Sequence, residues 1–171
     1  MAFRLLTAAT AQGTEVEATA TEGSLAKHTF LADSLQPGKV YIITGSALVV
    51  DQNGTDEQVL RLRFGAHATL PASNTAIATT ASIAVADGDV ATFVCYMTVR
   101  SVGSAGVIAF HGSICQPDAE AVATTPMFGF HQVVTAMDTT AALYFDYSSD
   151  CDAAHADNEI AADSFVVIEA V

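Results

Sequence analysis

The amino-acid sequence predicts an all-β protein: a two-sheet antiparallel β-sandwich with an extended N-terminal arm. Three observations support this prediction. From residue 37 onward, short runs of β-forming residues alternate with turn signals at fairly even intervals. No stretch keeps a helical periodicity over several turns. The chain has 171 residues, 51% of them hydrophobic and 15% charged, which is enough apolar material for the core of one domain.

Residues 1–36 form the predicted arm, because they mix Ala, Thr, Glu and Gln without strong periodicity and suggest one strand at most. Two interpretations remain open. The segment is either a loosely packed terminus or an arm that becomes ordered against a neighbouring subunit. In the second interpretation the contacts are expected from Phe3, Arg4, Leu5 and Leu6.

The predicted sandwich domain covers residues 37–171. It opens at a Pro37-Gly38 turn, and the β-rich run 40–50 follows at once. The next turn contains Asn53-Gly54, which supplies the positive φ angles of a tight hairpin. We therefore expect a hairpin between the first two strands of this domain.

The strand after this turn alternates most clearly between apolar and charged residues. Its apolar positions are Leu60, Leu62 and Phe64, and its cationic positions are Arg61 and Arg63. One face is therefore expected in the core and the other in water. Because the chain has six basic residues in all, the two arginines are candidates for salt bridges to an acidic neighbour; plain solvation is the alternative.

Six further strands complete the predicted sandwich. Asp87-Gly88 turns the first of them into the second, as in another hairpin. The expected ranges are 77–85, 90–100, 107–114, 127–134, 141–147 and 165–168. Helical turns have room at 118–123 and 153–162.

Charge and cysteine content exclude several classes of protein. Nineteen acidic residues against six basic ones give a formal net charge of −13, which repels a phosphate backbone, so no nucleic-acid partner is expected. No apolar run approaches the roughly 18 to 20 residues of a membrane span, so no membrane association is expected. Cys95, Cys115 and Cys151 form no close pair and are interpreted as reduced and structural.

Two acidic segments have the oxygen density of a cation site. Residues 51–57 resemble a calcium loop in composition, but the glycine comes two positions early and no helices flank it, so an ordinary turn is favoured. The second group lies in a predicted loop without a metal-binding spacing: Asp146, Asp150, Cys151, Asp152, His155 and Asp157. We expect solvated loops, no metal and no cofactor.

Nothing in the sequence assembles a catalytic site. A Cys-His nucleophile would need a third group to orient the base, yet Cys95 is predicted to face the core while His111 and His131 are predicted at a sheet surface. Phosphate-binding glycine loops and a nucleophile elbow are absent from the sequence. We therefore expect a protein that is not an enzyme.

Aromatic side chains offer little for sugar binding. The chain has no Trp, and its tyrosines are Tyr41, Tyr96, Tyr144 and Tyr147. Tyrosines on β-strands more often cap a sandwich core than stack on a ligand, and that interpretation is favoured here.

Four segments resemble small jelly-roll virion proteins of tailed bacteriophages. They are LQPGKVY at 35–41, LRLRFG at 60–65, FVCYMTVRSVG at 93–103 and SFVVIE at 164–169. The resemblance covers roughly residues 35–171 and is one of strand order and texture. It implies a jelly-roll-like sandwich and a structural role in the virion.

The function implied is that of a capsid decoration, or cement, protein, which binds the major capsid protein and stabilises the head shell. Such a protein assembles in the host cytoplasm, ends on the capsid surface and is expected to be a homotrimer. Its partner-binding residues would be Phe3, Arg4, Leu5, Leu6, Arg61 and Arg63. The alternative is a tail or head-fibre component that binds a glycan or receptor, which an exposed tyrosine cluster with a groove would favour.

Overall fold

The computed structural model describes residues 2–9, 13, 15–17, 19–54, 56–116 and 127–170. This part of the chain contains a single 3₁₀ turn, Pro71–Ser73, and twelve strands. The strands are β1 (Phe3–Ala9), β2 (Glu15–Glu17), β3 (Gly23–Phe30), β4 (Val40–Asp51), β5 (Glu57–Gly65), β6 (Thr75–Thr79), β7 (Ile83–Ala84), β8 (Val90–Ser101), β9 (Gly106–Cys115), β10 (Met127–Met137), β11 (Leu143–Cys151) and β12 (Glu159–Ala170).

The strands form two sheets in which all neighbours run antiparallel. The larger sheet has the order β1-β12-β4-β8-β9-β10, with β2 also paired to β12. The smaller sheet has the order β3-β11-β5-β6, with β7 also paired to β5. Side chains from the two inner faces form one core, so the predicted all-β two-sheet sandwich is confirmed.

The strand order is that of a jelly roll. Without β2, β7 and the β9-β10 hairpin, eight strands remain. In chain order, the first, last, third and sixth of them form one sheet, and the second, seventh, fourth and fifth form the other. This order consists of two interlocked Greek keys. The sandwich is therefore jelly-roll-like, as the resemblance implies.

Aromatic rings fill the centre of the core. The Phe93 ring lies 4.8 Å from the Tyr147 ring and 6.2 Å from the Phe145 ring, centroid to centroid. Gly45 is the cross-strand neighbour of Phe93, and a Cβ atom at Gly45 would lie 2.6 Å from that ring. The absence of a side chain at Gly45 thus makes room for the aromatic cluster.

Strand faces follow the predicted alternation. On β5 the three apolar residues Leu60, Leu62 and Phe64 are fully buried. On β8 the residues that the sequence places on a single face are likewise buried: Phe93, Cys95, Met97 and Val99. Period-two patterning therefore identifies the core side of these strands correctly.

The two predicted hairpins are wrong. Gly54 and Gly88 do adopt left-handed conformations, with φ of 59° and 83°. However, β4 belongs to the larger sheet and β5 to the smaller one, and β7 and β8 are divided in the same way. Each turn is a corner between sheets. Turn residues favour a reversal of the chain, but they do not specify which strand the next segment will hydrogen-bond to.

The N-terminal segment contains three strands where the sequence suggests one at most. β1 pairs with β12 from Phe3↔Ala170 to Ala9↔Phe165, and β3 pairs with β11. Both partners lie more than a hundred residues away, so the local sequence carries little trace of the pairing. Residues 1–36 therefore contribute strands to both sheets. The composition of the chain changes at residue 36, but the strands on either side of it belong to the same two sheets.

The other element boundaries differ less from the predicted ones. The last strand begins at Glu159, six residues before its predicted start, and no helical turn forms in the range 153–162. The second predicted helical turn, 118–123, lies outside the described residues. The described residues contain no helix that is long and apolar enough to cross a bilayer.

Candidate interaction surfaces

The outer face of the larger sheet is uncharged over four consecutive rows of side chains on five neighbouring strands. Asp, Glu, Lys and Arg are all absent from these rows of the described chain. We call this surface the uncharged face. Its members are Ser164, Val166, Ile168 and Ala170 on β12; Val40, Ile42, Thr44 and Ser46 on β4; Thr92, Val94, Tyr96 and Thr98 on β8; Ala109, His111, Ser113 and Cys115 on β9; and Met127, Gly129, His131 and Val133 on β10.

One row crosses the middle of the uncharged face. It runs through the cross-strand neighbours Ile168, Ile42, Tyr96, His111 and His131. The Tyr96 ring stacks on the His111 ring with a centroid separation of 5.0 Å and an interplanar angle of 13°. Tyr96 is 37% exposed, and both histidines are exposed, as the sequence predicts.

Charged residues of opposite sign bound the uncharged face at its two ends. At one end Asp163 accepts a hydrogen bond from the Ser46 hydroxyl at 3.1 Å. Beyond it Glu159 lies opposite Asp51 on one neighbouring strand and opposite Glu17 on the other. At the other end Arg100, which is exposed, lies two residues after Thr98 on the same strand and face.

Phe3 and Leu5 extend this surface onto the edge strand β1. Both side chains point outward and are 59% and 61% exposed. β1 hydrogen-bonds β12 on one side, and the described residues place no strand on its other side. Such an edge presents unpaired backbone groups as well as two large apolar side chains.

Arg4 and Leu6 lie on the inner side of β1. Leu6 packs against the core, and Arg4 forms an ion pair with its cross-strand neighbour Glu169. Lys39 pairs with the same carboxylate at 3.1 Å. Burial by itself would raise the pKa of Glu169, but the hydrogen bond from Lys39 and the charge of Arg4 lower it. Arg4 therefore forms an intramolecular ion pair, and its side chain is 65% exposed, as much as those of Phe3 and Leu5.

A shallow pocket opens beside these residues between the two sheets. Its volume is about 200 Å³, and its walls are Arg4, Leu6, His28, Thr29, Phe30, Leu31, Ser34 and Tyr41. His28 Nδ1 lies 2.6 Å from the Thr7 hydroxyl, which joins the smaller sheet to β1. Burial lowers the pKa of His28, so its imidazole is neutral at pH 7.

Arg61 and Arg63 lie on the outer face of the smaller sheet, but they are neither solvated nor free for a partner. Their side chains are 18% and 14% exposed. Arg63 donates through Nε and Nη2 to the two oxygens of Glu22 at 2.6 and 2.5 Å, and through Nη1 to the Asn74 carbonyl at 2.9 Å. Arg61 pairs with Asp150 at 2.5 Å and with Glu22 at 3.8 Å. Both guanidinium groups therefore have intramolecular partners, because the β2-β3 connection supplies the Glu22 carboxylate, while the expected intermolecular salt bridges stay a prediction.

Asp146 occupies the buried part of this polar network. It accepts hydrogen bonds from the Ser24 hydroxyl at 3.0 Å and the Asn74 amide at 3.2 Å, and Lys27 Nζ lies 3.9 Å away. Burial raises the pKa of Asp146, although these three contacts oppose the effect. The network ties β3, β5 and β11 together.

The two acidic segments considered as cation sites meet at one end of the sandwich. Asn158, which is buried, accepts a hydrogen bond from the Asn53 backbone at 3.0 Å and donates to Asp56 at 3.0 Å. Asp152 accepts from the Glu57 backbone at 3.0 Å. These contacts use the oxygens to fasten one loop to the other. No group of three or more His, Cys, Asp and Glu side chains arranged for a metal ion occurs in the described ranges.

The thiols and tyrosines are mostly withdrawn from solvent. Burial, together with Asp150 and Asp152, raises the pKa of Cys151 to about 11, and burial also raises the pKa of Cys95. Both thiols are therefore protonated and unreactive at neutral pH. Tyr41 and Tyr147 are buried and Tyr144 is half-buried, so among the described residues the four tyrosines do not form the exposed cluster that a glycan-binding fibre would favour.

The uncharged face is the feature that the sequence analysis missed. Its signal is present in the sequence, because the ranges 40–50, 90–99 and 164–168 contain no charged residue at either the core-facing or the outward positions. A sheet with one solvated face normally alternates apolar and polar residues.

Comparison with protein-family models, with curated proteins and with solved structures finds no match for this chain. The fold and the surfaces themselves define its class: a jelly-roll sandwich with an uncharged outer sheet face and an apolar edge strand.

Proposed function

We propose that this chain is a structural protein of a tailed-bacteriophage virion. In this proposal it decorates the capsid surface, binds the major capsid protein and stabilises the head shell after assembly in the host cytoplasm. It acts as a homo-oligomer and performs no catalysis. The observation that carries the proposal is the edge strand β1, where Phe3 and Leu5 are exposed on a rigid sandwich.

The physical requirements of a cement protein agree with this arrangement. Such a protein works by burying surface on the assembled shell, and binding to the assembled state alone shifts the assembly equilibrium by mass action. Two large apolar side chains next to unpaired backbone groups suit an extended contact with another protein. Intramolecular ion pairs largely bury Arg61 and Arg63, so the contact relies on apolar burial more than on salt bridges to these two arginines.

The copy number of the chain in purified particles tests the location. Mass spectrometry against the major capsid protein would give about one copy per capsomer or per capsid subunit for a decoration protein. A handful of copies per particle would instead indicate the tail or a fibre, and absence from the particle would overturn the proposal.

A double substitution of Phe3→Ser and Leu5→Ser tests the docking strand. Both side chains point away from the core, so the sandwich is expected to fold unchanged while the affinity for capsids lacking the protein falls roughly tenfold to a hundredfold. The matched control is Leu70→Ser, because Leu70 is 61% exposed and does not line the pocket beside β1. Unchanged capsid binding by the Phe3/Leu5 variant would contradict docking through β1.

Substitution is a sharper test than deletion of residues 2–12. Deletion also removes the Arg4-Glu169 ion pair and the contact of Leu6 with the core. Loss of binding after deletion could then result from a destabilised sandwich.

A further inference from the structure

We propose that the uncharged face is the surface on which a second copy of this chain packs, so that two copies form a face-to-face, two-fold symmetric pair. This inference does not depend on the proposed location in a virion. It concerns the β12-β4-β8-β9-β10 part of the larger sheet, next to the edge strand β1.

Charge depletion is the first argument for an interface. The chain carries 19 acidic and six basic residues, yet the described residues place none of them on the four rows of this sheet face. The outer face of the smaller sheet, in contrast, carries Arg61, Arg63 and Asp150. Depletion of charged residues is typical of the buried centre of protein interfaces.

The size of the face suits a pair of copies. Five strands about 4.8 Å apart and four rows of side chains give a patch of roughly 25 by 25 Å, or about 600 Å². The exposed side chain of Met127 at one corner adds to this area. A standard interface buries about 800 Å² on each partner, so the patch is close to what a stable pair needs.

Symmetry favours a second copy over an unrelated partner. In a two-fold interface the same patch lies on both sides and must complement itself. A patch with one sign of charge would repel its own copy, whereas an uncharged one does not. Two sheets that pack face to face lie about 10 Å apart, as they do inside a β-sandwich.

The charges at the ends of the face determine how the two copies are oriented. Asp163, Glu159 and Asp51 lie at one end, and Arg100 lies at the other. With the strands of the two copies antiparallel, the acidic end of each copy lies toward the basic end of its partner. With the strands parallel, like charges would meet. The proposed assembly is therefore an antiparallel dimer, whereas the resemblance implies a trimer.

Tyr96 is the central contact of this pair. It lies on β8, the middle strand of the five, and its ring is held flat against His111. An aromatic side chain that is rigid before binding loses little conformational entropy on association. Its replacement by a charged residue would bury that charge at the centre of the interface.

Analytical ultracentrifugation of the purified chain tests the inference. The native protein is expected to sediment as a dimer, and Tyr96→Glu is expected to weaken self-association at least a hundredfold. Leu70→Glu is the matched control, since Leu70 is also exposed but lies away from this face. A native chain that stays monomeric, or a trimer that Tyr96→Glu leaves intact, would overturn the inference.

A charge-swap mixture separates loss of the interface from loss of folding. Tyr96→Glu and Tyr96→Lys are each expected to be monomeric and to melt as cooperatively as the native chain. When they are mixed, opposite charges meet near the two-fold axis and heterodimers form. If the mixture stays monomeric while both variants are folded, Tyr96 is not at the centre of a two-fold interface.

Discussion

Arg61 and Arg63 illustrate what decides the environment of a single residue. Alternation along β5 places both arginines on the outer face of the smaller sheet, and the structure agrees. The alternation does not determine which residues cover that face. Glu22, which precedes β3, lies over β5, and its carboxylate accepts hydrogen bonds from Nε and Nη2 of Arg63. The pair is largely withdrawn from water, so removing one partner costs more stability than breaking an exposed salt bridge would.

Arg63→Ala is predicted to lower the free energy of unfolding by about 2 to 4 kcal/mol, because it leaves the Glu22 carboxylate largely buried without its bidentate partner. Chemical denaturation followed by circular dichroism measures the change. Arg100→Ala is the control, since Arg100 is exposed and forms no ion pair with the described residues; it should change stability by less than about 0.5 kcal/mol. Equal effects of the two substitutions would contradict the role assigned to Arg63.

At the scale of elements, β12 organises the larger sheet. It pairs with β4 along one side and with β1 and β2 along the other, so it joins β1 and β2 to the rest of this sheet. Its start is electrostatically unfavourable, because Glu159 lies opposite both Glu17 and Asp51. Like charges directly opposite each other destabilise a sheet.

Glu159→Gln is predicted to raise the melting temperature at pH 7. A hydrogen bond with Glu15, burial and the nearby charges of Glu17 and Asp51 raise the pKa of Glu159. The folded state therefore binds a proton at a higher pH than the unfolded chain does. In the native protein, stability from this group increases as the pH falls from the raised pKa to the ordinary value of about 4.5, below which the gain is complete.

Calorimetry from neutral to acidic pH measures this effect. The advantage of Glu159→Gln should be largest at neutral pH and should shrink on acidification, since protonation neutralises the native side chain. Glu57→Gln, a substitution of the same type at the start of β5, is the control. A difference between native and Glu159→Gln proteins that does not vary with pH would show that repulsion at β12 is not its source.

At the scale of the whole molecule, the net charge of −13 opposes compaction. Raising the ionic strength from about 0.01 M to about 0.15 M shortens the Debye length from roughly 30 to 8 Å. Repulsion between exposed carboxylates is then screened, whereas the part-buried pairs of Arg61 and Arg63 are screened less. We therefore predict that the melting temperature rises with added salt.

Scanning calorimetry in NaCl and in KCl tests this prediction. Screening depends on ionic strength and not on the identity of the cation, so both salts should give the same rise. A melting temperature that falls with salt would mean that attractive ion pairs outweigh the overall repulsion.

The candidate surfaces were partly predictable from the sequence. The sequence predicts that Phe3 and Leu5 make contacts, and both are exposed; it also predicts His111 and His131 at a sheet surface, where they lie. Arg4 is exposed too and forms an ion pair with Glu169, whose position opposite it depends on the register between the first and last strands. The uncharged face requires five strands to be aligned, and the alternation within each strand does not specify that alignment.

By itself the sequence determined the class of fold and the buried side of the main strands, because residue spacing and turn residues act over a few positions of the chain. Tertiary structure alone decided that the turns at Gly54 and Gly88 are corners between sheets, that β1 and β3 belong to the sandwich, and that Arg63 meets Glu22. These outcomes depend on pairing between residues far apart in the chain. Such pairing is selected by the fit of the whole core, and no local pattern encodes it.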